Sequence, residues 1–212
     1  IAEEATTGVR IPVEVRVTAA DPFEAYRRAR THGTDGVYLG TTGGQTGWGY
    51  FAVDPVERVQ VSPEATPRGA ESPSLDEIDA LLDRETLVRG DCEVPYPCGA
   101  FGWLAYDIAR ELEELPDTTR SAGLPRLQLG VFDRVVAWEE PRDDEVTLRI
   151  TACPVVDGDP ESAYEAGLER ARALADAIRH GDRGVRTQPT ANRQVTFESE
   201  CGEAAYADRV RQ

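Results

Sequence analysis

The sequence predicts an α+β fold in which mostly antiparallel sheets are flanked by helices. Apolar and polar residues alternate in several short segments, which is typical of half-buried strands. Short turns join neighbouring segments, so antiparallel pairing is the economical arrangement. In each half of the chain the strands are followed by a segment of helical periodicity. The 212 residues are 40% hydrophobic, which is enough apolar material for a substantial core.

The first half opens with a strand and a short helix. Residues 9–17, VRIPVEVRV, alternate apolar residues with polar ones or Pro and predict a half-buried strand. In the helix that follows, Asp21 can cap the N-terminus and Pro22 can occupy the first turn. Two further strands, 36–40 and 48–54, are predicted on either side of a stretch rich in Gly, Thr and Gln.

A third strand and a second helix complete this half. Residues 57–61, ERVQV, are predicted to extend the antiparallel group. A loose surface loop leads to the sequence SPSLDEIDALLD, in which Ser74 and Glu77 have the spacing of a capping box. The apolar residues that follow at helical spacing are Leu75, Ile78, Leu81 and Leu82.

The second half repeats this order of strands and then a helix. Strands are predicted at 99–107, 126–140 and 145–152, with a charged turn between the last two. A long helix then starts at Asp159 and Pro160 and ends at Gly181, with Ala and Leu between.

Composition along the chain predicts one domain and the start of another. Residues 1–182 form the first domain, and the polar, unpatterned residues 183–195 form a linker. Residues 196–212 begin a new amphipathic helix whose Tyr206 and Val210 would face a core that lies outside this sequence. We therefore expect the natural protein to continue, and the absence of Met indicates a start after the initiator.

Charge excludes several classes of partner. The net charge of −16 comes from 39 acidic and 23 basic residues, and all of the basic residues are Arg. A dense anionic surface without Lys is typical of a salt-adapted protein. Phosphate neutralisation needs clustered cations, so no nucleic-acid partner is expected. Neither an apolar run of 18 residues nor a signal peptide is present, which predicts a cytoplasmic protein without membrane contact.

The residues that often carry chemistry form no complete catalytic set. The stretch GTTGGQTG lacks the GK[ST] ending of a phosphate-binding loop. His32 and His180 are predicted at surface positions near helix ends. The four cysteines (Cys92, Cys98, Cys153 and Cys201) lack the paired spacing of a zinc site and are predicted to be free, mostly buried thiols. The carboxylates Asp107, Glu111, Glu113 and Glu114 are predicted to lie on a solvated helix face.

One long combination of residues resembles a known family. PYPCGAFGWLAYDIARELEELPD (95–117), followed by LPRLQLGVFDRVVAWE (124–139), is similar to the N-terminal half of component I of the chorismate-amidating synthases. These enzymes are anthranilate synthase and aminodeoxychorismate (para-aminobenzoate) synthase. FESECGEAAYADRV resembles the first helix of the family's chorismate-binding domain, and Cys98 stands where the first Gly of a pair is usual. The matching residues are Gly99, Gly102, Trp103, Tyr106, Asp107, Arg110, Leu115, Pro116, Leu124, Pro125, Phe132 and Asp133.

The resemblance implies an amino-acid pocket around the Gly-rich stretch. In the family this stretch carries a Leu-Leu-Glu-Ser element and a Gly-Arg-Tyr-Ser-Phe-Ile-Gly element that line a tryptophan site. Aligned on these, Thr41 keeps a hydroxyl, but Gly40, Gly47 and Gly49 replace the Glu, the Arg and the second Ser. Binding should therefore be weak or lost, because polar ends of a ligand need partners. The candidate pocket residues, vestigial or ligand-binding, are Leu39, Gly40, Thr41, Trp48 and Gly49.

The missing carboxylate at Gly40 favours aminodeoxychorismate synthase component I, which serves para-aminobenzoate and folate synthesis. Anthranilate synthase component I is the alternative, and a freestanding small-molecule-binding domain is a second one. For the complete enzyme the resemblance implies amination of chorismate with ammonia from a glutamine amidotransferase subunit, assisted by Mg²⁺. The catalytic residues and metal ligands would lie in the C-terminal domain. We therefore expect none in this chain and no activity from the isolated chain.

The charge generates a first test, because a surface of net charge −16 repels itself at low ionic strength. We expect the thermal unfolding midpoint to rise between dilute buffer and molar KCl, since screening already shortens the range of such repulsion to about 10 Å near 0.1 M salt. Circular dichroism at increasing KCl concentration measures the effect, with sucrose as an uncharged control. An unchanged midpoint would contradict salt adaptation.

Overall fold

A computed structural model of the chain describes residues 8–30, 35–41, 45–65, 72–115, 123–142, 144–182 and 202–211. Within these ranges the strands form three sheets with helices packed against them, so the α+β class is confirmed. The strands are β1 (Gly8–Arg10), β2 (Val13–Ala19), β3 (Gly36–Leu39), β4 (Gly47–Val53), β5 (Glu57–Val61), β6 (Glu85–Leu87), β7 (Gly99–Leu104), β8 (Leu127–Phe132), β9 (Arg134–Glu140), β10 (Val146–Ala152) and β11 (Val155–Val156). The helices are α1 (Pro22–Ala29), α2 (Pro73–Asp83), α3 (Ala109–Leu112), α4 (Pro160–His180) and α5 (Glu203–Arg211), and a 3₁₀ turn at Tyr106–Ile108 precedes α3.

The central sheet is five-stranded and antiparallel, in the order β2-β10-β9-β4-β3. Helices α1 and α4 cover one of its faces and bury the largest apolar cluster, which includes Phe51, Trp138 and Leu148. Both helices begin as predicted. The Asp21 carboxylate accepts a hydrogen bond from the Phe23 N–H, and Asp159 caps α4 in the same way.

A second sheet, β5-β8-β7, is also antiparallel, and an apolar cluster containing Tyr50, Phe132 and Val135 lies between it and the central sheet. The prediction of a single strand over 126–140 was wrong. The chain bends at Asp133, so β8 belongs to the second sheet and β9 to the central one.

The bend at Asp133 is fixed by its buried side chain and by its backbone. The Asp133 carboxylate accepts a hydrogen bond from Arg170 of α4 at 2.5 Å, and its carbonyl accepts one from the Cys153 N–H at 2.7 Å. The neighbouring strand makes the same crossing after Asp54. The segment 57–61 is therefore a strand, as predicted, but it pairs with β8 in the second sheet and does not extend the β3–β4 pair.

The predicted strand 9–17 is also divided. It breaks at Ile11 and Pro12, which have no strand partners, and β1 lies in a small third sheet with β6 and β11. Pro12 lacks the N–H that a continuous ladder would need at that position.

Helix α2 starts earlier than the predicted capping box. Ser72 is the N-cap, because its hydroxyl oxygen accepts a hydrogen bond from the Leu75 N–H at 3.4 Å, and Pro73 is the first helical residue. The capping box from Ser74 to Glu77 was therefore wrong. Ser74 is fully buried, and its hydroxyl donates to the Glu111 carboxylate at 2.8 Å.

Glu111 corrects a second expectation, since only part of the predicted carboxylate group is solvated. Glu113 and Glu114 are exposed, but the Glu111 side chain is fully buried. It accepts hydrogen bonds from the Ser72 hydroxyl at 2.7 Å and the Ser74 N–H at 2.9 Å. Arg126, just before β8, pairs with it at 3.1 Å. This cluster joins the start of α2 to α3 and to the second sheet.

At its C-terminal end the structure describes α5, which lies inside the segment predicted to begin a new helix. Its Tyr206 and Val210 are exposed. The predicted linker, 183–195, lies outside the described residues, so the domain boundaries stay a prediction. None of the helices in the described part of the chain combines the length and the apolar character that crossing a bilayer requires.

The buried carboxylate predicts a pH dependence of stability. Burial alone would raise the pKa of Glu111, but the hydrogen bonds from Ser74, Ser72 and Arg126 outweigh it and hold the pKa below its ordinary value. A carboxyl group whose pKa is lower in the folded state stabilises the fold above its unfolded pKa, about 4.3 for Glu. This stabilisation is lost as the pH falls towards the folded pKa.

We therefore expect Glu111→Gln to lower the free energy of unfolding at pH 7 and to flatten its decline below about pH 5. Urea unfolding in molar KCl across this pH range measures both effects. Glu113→Gln, at an exposed neighbouring position, is the matched control and should leave the wild-type profile unchanged. Equal profiles for the two variants would show that the Glu111 cluster does not stabilise the fold.

Candidate functional site

The candidate pocket lies at one end of the β3–β4 pair, beside β9. Strand β3 ends at Leu39, β4 begins at Gly47, and Leu39 lies opposite Tyr50 in the antiparallel register. Continuing this register places Thr41 opposite Trp48, so the two elements named by the family resemblance do face each other. Residues 42–44 of the connecting turn are outside the described part of the chain.

The five predicted positions are divided between the two faces of the central sheet. Side chains alternate along a strand, so Leu39, Thr41 and Trp48 point towards the second sheet. Gly40 and Gly49 lie on the face that α1 and α4 cover. The contacts agree, because Trp48 packs with the cluster between the sheets, whereas Gly49 lies against Trp138 of the helix-side cluster.

On the helix side, the space that a side chain at position 49 would need is occupied by Trp138. A Cβ added to Gly49 would lie 2.2 Å from two indole carbons, far closer than carbon atoms can approach. Trp138 is fully buried, and its indole N–H donates to the Glu140 carboxylate at 2.7 Å. The hydroxyl lost at Gly49 is therefore replaced by a packed aromatic ring.

The same ring belongs to an aromatic cluster that continues to α1. The Trp138 ring centroid lies 5.4 Å from that of Tyr38 and 6.2 Å from that of Phe51, and Tyr38 lies 5.7 Å from Tyr26. These are the distances of favourable tilted contacts between rings. A Cβ at Gly40 would lie 3.2 Å from the Tyr38 ring, so this position is also tight. Two of the three positions that lost a polar group are thus packed by aromatic side chains.

The opposite face holds a polar group that the sequence patterns missed. The Arg149 guanidinium lies 5.7 Å from the centroid of the Trp48 ring, within the range of a cation–π contact. It donates two hydrogen bonds to Glu14, at 2.9 and 3.0 Å, and pairs with Glu93 at 3.0 Å. Both residues occupy polar positions in the alternation of β2 and β10, so the sequence pattern alone did not distinguish them from solvated charges.

Electrostatics on this face keep the charges paired. Burial would raise the pKa of Glu14, but hydrogen bonds from Arg149 and Arg16 outweigh it and hold the pKa below its ordinary value. Burial raises the pKa of Tyr50 to about 12, so its hydroxyl stays protonated and can donate. The charge of Arg149 is therefore balanced by two carboxylates within the fold. Glu93 is largely exposed and is the more accessible of the two.

Three surface clefts lie away from the five predicted positions. One of about 520 Å³ lies beside β2, one of about 500 Å³ lies on α4, and one of about 310 Å³ lies between the β3 edge and the second sheet.

Among the described residues, no group of three or more His, Cys, Asp or Glu side chains could hold a metal ion, so they do not fit a Mg²⁺ site. His180 ends α4 at the surface, and His32 and Cys201 lie outside the described residues. The other three cysteines are free thiols, as expected, but only Cys153 is buried, and Cys92 and Cys98 are half-buried.

Comparison with known proteins gives two relatives from Haloarcula marismortui. The protein named anthranilate synthase component 1 3 is 66% identical to this chain over 212 residues, which are 100% of the chain and 42% of that protein. The protein named anthranilate synthase component 1 1 is 53% identical over 213 residues, which cover 99% of the chain and 42% of that protein. The chain thus spans well under half the length of these relatives. A scan against protein-family models found no match.

The contact between Gly49 and Trp138 is testable by substitution. We expect Gly49→Ser to lower the free energy of unfolding by about 1–3 kcal/mol, as overpacking usually does, because the indole must move. Urea unfolding measures the cost, and tryptophan fluorescence should shift to the red as the ring gains contact with water. Gly8→Ser is the matched control, since a Cβ there would meet only ordinary contacts, at 3.4 Å or more.

A double variant distinguishes the clash with the Trp138 ring from any effect of the serine on the backbone. Combining Gly49→Ser with Trp138→Leu should cost less than the sum of the two single changes, because the smaller side chain leaves room for the serine. Additive costs would contradict a direct conflict between the two positions.

Proposed function

Because the chain belongs to the component I family of the chorismate-amidating synthases, we propose that it is the N-terminal part of an anthranilate synthase component I. The observation that carries this proposal is the match of the whole chain, at 66% identity, to a relative that bears this name. The second relative bears the same name. Both support the alternative given by the sequence better than its main interpretation, aminodeoxychorismate synthase.

The argument for the folate branch rested on the missing carboxylate at Gly40. The packing weakens that argument, because Gly40 and Gly49 lie against Tyr38 and Trp138. An aromatic cluster on this face accounts for the small residues without reference to the product of the enzyme. We therefore base the proposed product, anthranilate, on the names of the two relatives. The loss of polar groups bears only on whether the amino-acid pocket binds a ligand.

The complete enzyme, in this proposal, aminates chorismate with ammonia delivered by a glutamine amidotransferase subunit and uses Mg²⁺. These partners come from the family resemblance. The described part of this chain offers no group of acidic residues suited to the metal. We therefore propose that catalysis belongs to the C-terminal region of the family and that this chain alone is inactive.

For regulation, we propose that tryptophan binds weakly or not at all at the β3–β4 end. Three polar groups of the family pattern are replaced by Gly40, Gly47 and Gly49. Trp138 fills the space beside Gly49, and Thr41 lies on the other face of the sheet. A charged amino-acid ligand would lose the partners that the three polar groups of the family pattern supply.

A chimera tests the function directly. This chain replaces the aligned 212 residues of the 66%-identical Haloarcula relative, and the product is purified in molar KCl. With chorismate, ammonia and Mg²⁺ we expect anthranilate, detected by its fluorescence, at a rate similar to that of the unaltered relative. The isolated 212-residue chain, assayed in parallel, should form no product.

The products and effectors discriminate between the alternatives. Aminodeoxychorismate in place of anthranilate would move the assignment to the folate branch. A folded chimera without either product would contradict an enzymatic role for this chain. Calorimetric titration of the chimera with tryptophan should show no micromolar site, which would correspond to about −8 kcal/mol. Inhibition of the chimera by tryptophan would overturn the proposed loss of the pocket without affecting the enzymatic assignment.

A further inference from the structure

Two of the three cysteines that the structure describes lie side by side where the two larger sheets meet. Cys98 immediately precedes β7, and Cys153 immediately follows β10. The Cys153 thiol donates a hydrogen bond at 3.4 Å to the carbonyl oxygen of Pro97, the residue before Cys98, and the Cys98 side chain lies near enough to act on the Cys153 sulfur. Side chains that are far apart in sequence are thus held in direct contact.

The two thiols have different environments. Cys153 is fully buried, whereas Cys98 is half-buried. Arg10 lies beside both, since its guanidinium donates a hydrogen bond to the Cys153 carbonyl at 2.6 Å and its positive charge acts on Cys98. The hydrogen bond from Cys153, together with this charge, holds the pKa of the Cys98 thiol below its ordinary value, although burial opposes the shift. The same hydrogen bond and burial raise the pKa of the Cys153 thiol, which stays protonated.

We propose that Cys98 and Cys153 form an oxidation site that reacts with hydrogen peroxide and closes a disulfide bond between the two sheets. Cys98 is the attacking thiol because it is the less buried member of the pair and the positive charge of Arg10 acts on it. Cys153 is the resolving thiol because it is already in contact with the Cys98 sulfur. The proposal is independent of the function proposed above.

The chemistry needs no further reactant. The Cys98 thiolate attacks one oxygen of hydrogen peroxide, the O–O bond breaks, and hydroxide leaves, so Cys98 becomes a sulfenic acid. Oxidation removes the negative charge of Cys98, which had helped to keep Cys153 protonated. Cys153 passes its proton to the sulfenic oxygen as its sulfur attacks the Cys98 sulfur, the S–O bond breaks, and water leaves. Both sulfurs are oxidised, one peroxide molecule is reduced to water, and a thiol reductant restores the pair.

Mass spectrometry of the folded 212-residue chain in molar KCl tests the site. After peroxide treatment and blocking of the remaining thiols, trypsin should release peptides 90–110 and 150–170 joined by a bond that dithiothreitol cleaves. Because peptide 90–110 contains both Cys92 and Cys98, the digest is repeated with Cys92→Ser, which is the matched control. Cys92 packs in the apolar cluster between the sheets, and its replacement should leave the cross-link in place.

The other variants identify the roles of the two thiols. Cys98→Ser should abolish the cross-link. Cys153→Ser should leave a sulfenic acid on Cys98 that a dimedone reagent traps, because the resolving thiol is absent. Circular dichroism shows whether each variant is folded, and the digest of the wild-type chain is decisive even where Cys153→Ser does not fold.

Three results would overturn the proposal. They are a wild-type cross-link through Cys92 or Cys201, oxidation of Cys98 to sulfinic acid without a cross-link, and resistance of both thiols to peroxide in the folded chain.

Discussion

The described structure depends on the point where the chain passes from the second sheet to the central one. Asp133 stands at this point, with its carboxylate held by Arg170 of α4 and its carbonyl by the Cys153 N–H. The adjacent strand makes the same passage after Asp54, whose φ of 57° is a left-handed conformation that Asp tolerates better than most residues. The chain therefore bends at the same place between β8 and β9 and between β4 and β5. This bend positions the apolar cluster between the sheets, the β3–β4 end and the thiol pair.

Much of this arrangement could be predicted from local pattern. Alternation located the strand segments, and the caps at Asp21 and Asp159 located two helices. The assignment of strands to sheets could not be obtained in this way, because local alternation does not say which strands pair. Only the change of strand partners at Asp133 and its contact with α4 reveal the bend. The burial of Glu111 could not be predicted for a related reason. Its partners, Ser72 and Arg126, are distant in sequence, and a carboxylate near the surface of a short helix ordinarily meets water.

The pairing of the two elements that carry the candidate residues was predictable, and their packing was not. The sequence placed two short elements opposite each other, and the antiparallel register agrees with that. It carried no sign that Trp138, from a third strand, fills the space beside Gly49, because contacts between strands distant in sequence have no local pattern. The paired charges of Arg149 and Glu14 had no distinct signal, since each stands at a polar position of an alternating strand, where a solvated side chain is ordinarily expected.

The contact of Gly49 with Trp138 also constrains the order in which these positions can change during evolution. A serine at position 49 destabilises the protein while the indole is present, and removing the indole first leaves a large void in a core whose neighbouring rings pack against it. Each single change at position 49 or position 138 gives a less stable protein, whereas Gly49 and Trp138 fit each other. The two positions are therefore coupled by epistasis, and the polar arrangement of the family pattern becomes accessible only when both change nearly together.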